Sequence, residues 1–411
     1  MSQPLIAITK RQALLFAAFL VAYEFLTYIA NDMIMPGMPQ VIHQFHAHET
    51  AIASSLTYYI LGGASLQLLL GPISDHYGRR PVMLAGALLF LIFTFLIACS
   101  QSIQAFLLFR FCQGMGLCFI SVIGYTTLQE IFEEMAAVRL IAIMANIATT
   151  APLIGPLLGA YFIIHWSWQL IFYLIGLGAF IALWGLWKYM PESVGITKHD
   201  GTIIHRTTLS CNSILNNYTQ LFCHPRFLLG SISLGLLCLP CILWIALSPV
   251  ILIHAAHLSV IEYALWQLPL FSAVIIGNWL LHKLTHYYTL TKLISMGRIV
   301  TLLSLLMVYF IPYYFNPYFT YLLPGLILYF FTLGLISGPL NRFILFSTPI
   351  AKGTTSALMS IVCMCIEAIG IEIGNALYTP DHNNLRLSIY CALIGIIYMI
   401  TLRIVLRDAQ Q

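Results

Sequence analysis

Charged residues are scarce in this sequence. Only 8% of its 411 residues are Asp, Glu, Lys or Arg, whereas about a quarter is usual for a soluble domain. The formal net charge of +4 is small, and the basic residues are scattered along the chain rather than clustered. This composition excludes an ordinary soluble protein and gives no support for a nucleic-acid-binding surface.

Paired cysteines and metal-ligand spacings are also missing. Most of the ten cysteines lie in apolar stretches, and the CxxC of Cys238 and Cys241 lies inside a hydrophobic run. Three histidines of the first outer loop, His43, His46 and His48, have a spacing unlike that of a metal pair on a helix. We expect no metal, no catalytic set and therefore no enzyme. No small-residue cleavage site follows the first apolar run, so we expect this run to be retained.

Long apolar runs dominate the chain. Hydrophobic residues make up 60% of it, and the mean hydropathy is +0.90. A membrane-spanning helix needs about 20 apolar residues, and windows of that length alternate here with polar or Pro/Gly breaks. We therefore predict an all-α polytopic membrane protein with about twelve transmembrane helices, at 13–36, 51–71, 82–100, 104–127, 136–163, 168–189, 227–253, 259–282, 291–313, 318–345, 353–378 and 386–406.

The longest polar stretch divides these spans into two equal sets. The predicted organisation is an N-terminal six-helix bundle at 1–190, a cytoplasmic central loop at 191–226 and a C-terminal six-helix bundle at 227–411. An even number of spans in two halves is typical of transporters built from repeats. Basic residues concentrate in loops on the side of the N-terminus, which predicts that both termini are cytoplasmic; they include Lys10, Arg11, Arg79, Arg80, Arg139, Lys283, Lys292, Lys352, Arg403 and Arg407.

Two carboxylates interrupt the first apolar run. Glu24 and Asp32 lie in YEFLTYIANDMIMPGMP, which ends at Pro36, a residue that closes or kinks a helix. At about 100° per residue, both acids share one broad helix face with Tyr28 and Asn31. Because charges inside a membrane cost a few kcal/mol, such acids usually face a bundle interior or a watery cavity. The alternative is a buried polar seam, neutralised by protonation or by hydrogen bonds.

The loop predicted after the second span reads GPISDHYGRRP, residues 71–81. Gly71 would allow helices to approach closely, and Asp75 would cap or accept from a neighbouring helix end. Gly78 permits a turn, while Arg79 and Arg80 can pair with acids on the same side of the membrane. The alternative is that this segment is only a tight basic turn on the cytoplasmic side of the membrane.

An arginine lies inside the fourth span, in RFCQGMG. Arg110 cannot lose its charge, so it needs an acid, water or several carbonyl groups. Glu24 and Asp32 are the candidate partners, and Gln113, about one turn further on, would share the network. The alternative is an interfacial arginine that snorkels to the membrane surface.

The fifth span carries APLIGPLLGA. Pro152 and Pro156, with Gly155 and Gly159, predict a helix that bends and packs closely against a neighbour. Small-residue packing by itself is common in membrane helices.

In order and on the corresponding spans, these three motifs resemble the signatures of drug/proton antiporters of the major facilitator superfamily. Longer strings, including LLGPISDHYGRRPVMLAG, LQEIFEE and AKGTTSALM, extend the resemblance over nearly the whole chain. His76 departs from the signature where a basic residue is usual, and Ala160 where Gly is usual. The resemblance implies the superfamily fold, with two six-helix pseudo-repeats.

The resemblance also implies roles for individual residues. Glu24 and Asp32 take the places of two membrane acids that bind protons and compete with substrate, and Arg110 takes that of an arginine coupled to proton transfer. Five residues match positions that line the substrate cavity: Tyr28, Asn31, Tyr125, Met144 and Asn146.

The function implied is proton-coupled multidrug efflux by alternating access. Lipophilic cationic, neutral or zwitterionic compounds would be exported by a monomer in the bacterial inner membrane. Its partners would be these small substrates, protons and the lipid bilayer, with no cofactor because the proton gradient drives transport. The main alternative is a dedicated exporter of one metabolite, such as a siderophore, on the same scaffold. A receptor or scaffold that transports nothing is a further alternative.

Acids at the end of the fourth span suggest a gate. Glu130, Glu133 and Glu134 are expected either to pair with the basic residues Arg79, Arg80 or Arg139 or to form a solvated helix end. In the second half, the counterpart would be the pair Arg342 and Lys352.

Polar residues inside the second half are candidates for substrate contacts. Tyr263 and Gln267 lie one turn apart on the eighth span and would contact substrate or form ordinary interhelical bonds. On the eleventh span, Glu367 and Glu372 are about 140° apart around the helix, so we do not expect them to face the same cavity. Glu367 would favour cationic substrates or change proton stoichiometry, or it would pair with Arg298.

Overall fold

The computed structural model describes residues 4–199, 201, 218–284, 287–315, 318–348, 352–378 and 385–407. At 134–136, 138–139, 141–143, 145–149, 282, 290, 352 and 353 it describes the main chain alone. Regular structure in these ranges is almost entirely helical, which confirms the predicted all-α class.

The N-terminal half begins with a helix capped by Thr9, whose hydroxyl accepts a 3.2 Å hydrogen bond from the amide of Gln12. This pairing satisfies one of the amides that a helix start leaves unbonded. The helices of this half are α1 (Lys10–Asp32), α2 (Met38–Gln44), α3 (Thr50–Ser65), α4 (Gln67–Tyr77), α5 (Arg79–Ala98), α6 (Ile103–Gly114), α7 (Gly116–Phe119), α8 (Tyr125–Ile131), α9 (Glu134–His165) and α10 (Gln169–Tyr189).

The first long helix of the C-terminal half begins at Pro225, a residue suited to the first turn of a helix because it needs no amide partner there. Its helices are α11 (Pro225–Ser248), α12 (Val260–Leu284), α13 (Leu290–Tyr314), α14 (Leu323–Leu345), α15 (Lys352–Leu377) and α16 (Leu385–Arg407).

The helices match the predicted membrane spans. Ten described segments are long and apolar enough to cross a membrane, and the bent pair α3 and α4 makes an eleventh. The helix α9 occupies the position of the predicted fifth span, and its described apolar part is Thr150–His165. The structure is therefore consistent with twelve spans.

The chain path differs from the prediction at three places. The segment predicted as a loop at 71–81 is helical through Tyr77, and only Gly78, with φ of +109°, makes the turn. The fourth span contains a π-helical turn, Ile120–Gly124, between α7 and α8. The helix α1 ends at Asp32, four residues before the predicted end of the first span, and Pro36 lies in a 3₁₀ turn because it cannot continue the α-helix.

Two compact units divide the chain. One holds the described residues of 1–34 and 58–217, and the other holds those of 35–57 and 218–411. In the first unit, α1 packs on α9 and α10, and α5 packs on α6 and α10. In the second unit, α11 packs on α15 and α16, and α14 packs on α12 and α13.

The segment 35–57 belongs to the second unit, whereas the predicted boundaries assign it to the N-terminal bundle. The reason is its contacts with α15: the Asn375 amide donates to the Thr50 carbonyl at 3.1 Å, and the Ser54 hydroxyl donates to the Glu372 carboxylate at 3.0 Å. The helix α2 also packs against the π-helical segment Pro249–Ala255.

Candidate functional site

The two acids of α1 are both buried. Glu24 is 1% exposed and Asp32 is 4% exposed. Both lie in α1, which is part of a segment long and apolar enough to cross a membrane. Burial at this depth means that the surrounding helices, rather than water at the surface, determine the state of these carboxylates.

Glu24 is held by one hydrogen bond from a neighbouring helix. The hydroxyl of Tyr125, in the first turn of α8, donates to Glu24 Oε1 at 2.6 Å. Its other oxygen, Oε2, is buried and has no hydrogen-bond partner among the described residues. One carboxylate oxygen is thus available to carry a proton or to accept from a ligand.

Asp32 lies at the end of α1, where the helix touches α9. Its carboxylate accepts a 3.2 Å hydrogen bond from the Asn31 amide. A Cβ at Gly155 would lie 2.7 Å from Asp32 Cβ, so only glycine allows α9 to approach the acid this closely. Gly159 and Pro156 are buried on the same helix.

Arg110 connects α6 to α1. Its Nη2 donates to Asn31 Oδ1 at 2.6 Å and its Nη1 donates to the Ala30 carbonyl at 3.3 Å. Nη1 also donates to Gln113 Oε1 at 2.9 Å, and Gln113 Nε2 donates to Thr94 Oγ1 at 2.9 Å. A chain of hydrogen bonds therefore runs from Asn31, the partner of Asp32, through Arg110 and Gln113 to Thr94 on α5.

The Arg110 side chain is fully buried, so the interpretation as a snorkelling interfacial arginine is wrong. Instead, its guanidinium stacks 4.4 Å from the centre of the Tyr59 ring. A stacked, desolvated guanidinium of this kind gains about 2 kcal/mol from the ring quadrupole. The Tyr59 hydroxyl donates to the Thr27 carbonyl on α1 at 2.5 Å.

Two glycines bring Tyr59 to this position. A Cβ at Gly62 of α3 would lie 1.9 Å from the Phe111 carbonyl oxygen, and one at Gly114 of α6 would lie 2.0 Å from the Tyr59 carbonyl oxygen. The main chains of α3 and α6 are therefore in direct contact, as in small-residue crossings of membrane helices.

The remaining predicted cavity residues of this unit are only partly described. Tyr28 is half-buried, and Met144 is fully buried. The side chain of Asn146 lies outside the described residues, as do those of Glu134, Arg139 and Lys352.

The turn between α4 and α5 forms a network of charges. Arg79 Nη2 lies 2.6 Å from Asp75 Oδ1 and 3.0 Å from Glu130 Oε1, and Arg79 Nη1 donates to Ser74 Oγ at 2.5 Å. The side chains of Arg79 and Glu130 are 8% and 13% exposed, so their contact is stronger than a surface ion pair, whereas the Asp75 side chain is 35% exposed. Of the three acids predicted near this turn, Glu130 is thus the one placed against Arg79, while Glu133 is exposed.

Glu192 anchors the start of α5. Its carboxylate accepts from the backbone amides of Arg79 at 2.9 Å, Arg80 at 3.2 Å, Ser193 at 3.0 Å and Val194 at 3.1 Å. An acid at this position satisfies unbonded amides and complements the helix dipole.

The expected role of Gly71 is not supported. Among the described residues, a Cβ there would meet only Val122 Cγ1 at 3.9 Å, which is an ordinary contact and gives no sign of a close helix approach.

In the second unit, Gln267 forms interhelical bonds. Its Oε1 accepts from Trp244 Nε1 at 2.9 Å, and its Nε2 donates to Ser248 Oγ at 3.2 Å, both on α11. Tyr263, one turn earlier, is also buried. Arg342 is exposed and stacks 5.3 Å from the centre of the Phe346 ring.

The two acids of α15 have different surroundings. Glu372 is exposed and accepts from Ser54, whereas Glu367 is half-buried. In the described residues, Glu367 makes no hydrogen bond or ion pair, so the expected pair with Arg298 is not formed.

Sequence reasoning missed several members of these networks. Tyr59 and Thr94 are neutral residues in apolar runs, and nothing in their local sequence distinguishes them. Glu192 had a usable signal, because it is an isolated acid three residues after a span that ends at Tyr189.

Comparison with known proteins fits this arrangement. The family model described as Major Facilitator Superfamily matches residues 20–370. The chain belongs to this superfamily. Curated relatives called multidrug transporter MdfA are 42% identical over 368 residues in Yersinia pestis, covering 90% of this chain and 88% of the relative. In Escherichia coli O6:H1, identity is 41% over 401 residues, covering 98% of this chain and 96% of the relative.

Solved structures of other transporters share the fold. The xylose transporter XylE of E. coli, in a partially occluded inward-open conformation, has a TM-score of 0.70 at 15% identity, covering 94% of this chain and 96% of XylE. A bacterial homologue of the human lysosomal transporter Spinster has a TM-score of 0.69 at 14% identity, covering 98% and 99% of the two chains. Membership of the superfamily makes this protein a multi-pass membrane transporter rather than an enzyme.

Proposed function

We propose that the protein is a proton-coupled multidrug efflux antiporter. The observation that carries this proposal is the pair of buried acids on α1: Glu24 has one oxygen that no described residue hydrogen-bonds, and Asp32 is joined to Arg110 through Asn31. The name of the similar curated relatives, multidrug transporter MdfA, supports the substrate class.

Proton binding at these acids provides the coupling. Neutralising a carboxylate lowers the cost of surrounding it with apolar side chains, so protonation biases the transporter toward the state in which the helices close around it. A cationic or polar substrate that occupies the same carboxylates displaces the proton. Competition of this kind exchanges one for the other across the membrane.

Arg110 transmits the state of the acids to neighbouring helices. It holds the Ala30 carbonyl and the Asn31 side chain on α1, and Gln113 relays the contact to Thr94 on α5. A change in the charge of Asp32 changes the electrostatic field at the Arg110 guanidinium. This guanidinium belongs to α6 and is linked through Gln113 to α5. The Met and aromatic side chains of the unit offer adaptable apolar contacts, which suits substrates of varied shape.

The protein resides in the bacterial inner membrane as a monomer, with both termini in the cytoplasm. The distribution of basic loop residues supports this orientation. Arg79, Glu130 and the Glu192 cap then lie on the cytoplasmic side and hold α4, α5 and α8 together there.

Substrate-induced proton release from purified protein tests the assignment. We expect a lipophilic cation to release protons from the wild type, less from Glu24→Gln and from Asp32→Asn, and none from the double variant. The matched control is Glu262→Gln, because Glu262 is an exposed acid that caps its own helix through Ser259.

Unchanged proton release in the double variant contradicts the assignment of the acids. A panel of lipophilic cations, neutral drugs and zwitterions, transported by the wild type against a pH gradient, tests the breadth of selectivity. Transport of a single metabolite from a mixed panel would favour the dedicated exporter instead.

A further inference from the structure

An apolar groove lies on the membrane-facing side of the first unit, between α5 and α10. Its volume is about 390 Å³. It is lined by Leu84 and Leu88 from α5 and by Phe180, Leu183, Trp184 and Trp187 from α10. Several of these side chains are exposed, Trp187 by 60%, so the groove opens to the lipid that surrounds a membrane transporter.

Two cations stand at one end of this groove. Arg80 lies one turn before Leu84, and its Nη2 donates to the Trp187 carbonyl at 2.7 Å. Lys188 follows Trp187, and its Nζ lies 5.0 Å from the centre of the Trp184 ring. Both side chains are therefore held against groove residues, at the polar ends of α5 and α10.

Neither cation is neutralised by an acid in the described part of the chain. The nearby Glu192 is engaged by four backbone amides, including that of Arg80, and not by the Arg80 guanidinium. Arg80 Nε is buried and has no hydrogen-bond partner among the described residues. This end of the groove thus carries positive charge and an unused donor.

We propose that the groove between α5 and α10 binds an anionic phospholipid, with its phosphate at Arg80 and Lys188 and an acyl chain along Leu88 and Phe180. The groove has the same arrangement as a phospholipid. Its cations lie at the helix ends, where a phosphate would be, and its apolar residues lie deeper in the membrane, where the acyl chains would be. Zwitterionic lipids carry their own cation, so a site with two uncompensated positive charges favours a lipid with net negative charge.

Lipid retention in a defined mixture tests the proposal. The full-length protein is equilibrated with equal amounts of phosphatidylglycerol and phosphatidylethanolamine that have identical acyl chains, and it is then repurified. The lipids that stay bound are counted by native mass spectrometry. We expect phosphatidylglycerol to be enriched in the wild type. Each basic residue near a membrane surface favours anionic lipid by about fivefold, so Lys188→Gln should lower the enrichment by about that factor.

The matched control is Lys283→Gln, because Lys283 also stacks on a tryptophan, with its Nζ 3.7 Å from the Trp279 ring centre, but belongs to the second unit and does not line the groove. This variant should keep the wild-type enrichment. Leu88→Trp fills the groove and should reduce retention of the anionic lipid while the thermal unfolding temperature stays near that of the wild type. Equal retention of both lipids by the wild type, or equal losses in the two lysine variants, overturns the proposal.

Discussion

The Arg110 guanidinium donates a 2.6 Å hydrogen bond to the side-chain oxygen of Asn31, and the amide of the same Asn31 donates to Asp32. One asparagine thus stands between the arginine of α6 and an acid of α1. Both its oxygen and its nitrogen are used, so its orientation is fixed by the charges on either side. Asp32 and Arg110 are therefore coupled through a group that cannot change its own charge.

Arg110→Lys should abolish coupled transport while the positive charge is kept. A lysine has one compact ammonium group and cannot reach the Ala30 carbonyl, Asn31 and Gln113 with the fixed fork of a guanidinium. Leaving one buried partner unbonded costs about 1–3 kcal/mol of stability. Transport into inside-out vesicles and thermal unfolding measure the two effects.

The control for this substitution is Arg403→Lys, on an exposed position of α16. It should change neither transport nor stability. Wild-type transport by Arg110→Lys would show that charge alone, rather than the hydrogen-bonding geometry, is needed at this position.

Glu192→Ala should destabilise the protein by about 1–2 kcal/mol, because it leaves the first amides of α5 without their acceptor. Thermal unfolding in detergent measures the change. Glu133→Ala is a suitable control, since Glu133 precedes α9 at the position of a cap but makes no capping hydrogen bond and is exposed. Equal stability of the two variants would contradict the capping role.

The positions of the spans and of the buried charges could be predicted from the sequence. Apolar runs of sufficient length must cross the membrane, and Glu24, Asp32 and Arg110 are too costly there to lack partners. Some of the partners could also be predicted: Gln113 was expected to share the network of Arg110 and accepts a hydrogen bond from it, whereas the complete set of hydrogen bonds could not be predicted. Asn31, Tyr59 and Thr94 are three of many neutral polar residues in the spans, and the close crossing of α3 and α6 at Gly62 and Gly114 determines which of them meet.

The local hydrogen-bonding pattern of the backbone could not be predicted from the sequence either. Hydropathy reports how apolar a window is and carries no information about which carbonyl each amide bonds, so the π turn at Ile120–Gly124 was not predicted. The same reason explains why 71–77 was predicted as a loop. Polar residues at a helix end look like a loop in composition, although the helix continues to Tyr77.

Gly155→Ala should lower stability by about 1–3 kcal/mol and reduce transport. The new methyl group would meet Asp32 Cβ at 2.7 Å and the Asp32 main-chain carbon at 3.2 Å, atoms that cannot rotate away. Separation of α9 from α1 would then displace the acid. Gly338→Ala is the control, because its methyl group meets, within the described part of the chain, only Leu281 Cδ2 at 3.7 Å and because alanine is the better helix former. Similar losses in both variants would contradict close packing as the cause.

Glu367→Gln should reduce export of cationic substrates relative to neutral ones. Glu367 lies on the stripe of α15 that packs on α11, between Cys363, which meets Gly235, and Gly370, which meets Leu239. A carboxylate there without a partner among the described residues offers an unused negative charge to a cation in the second unit. A charge contact near 4 Å is worth several kcal/mol at intermediate dielectric, of which desolvation of the ligand offsets a part.

We therefore expect about a tenfold loss in transport efficiency for a lipophilic dication and little change for a neutral drug. Initial rates over a range of substrate concentrations give both values. Glu372→Gln is the matched control on the same helix, since Glu372 is exposed and already accepts from Ser54. An equal loss for cation and neutral drug in Glu367→Gln would assign the residue to folding or to proton coupling rather than to selectivity.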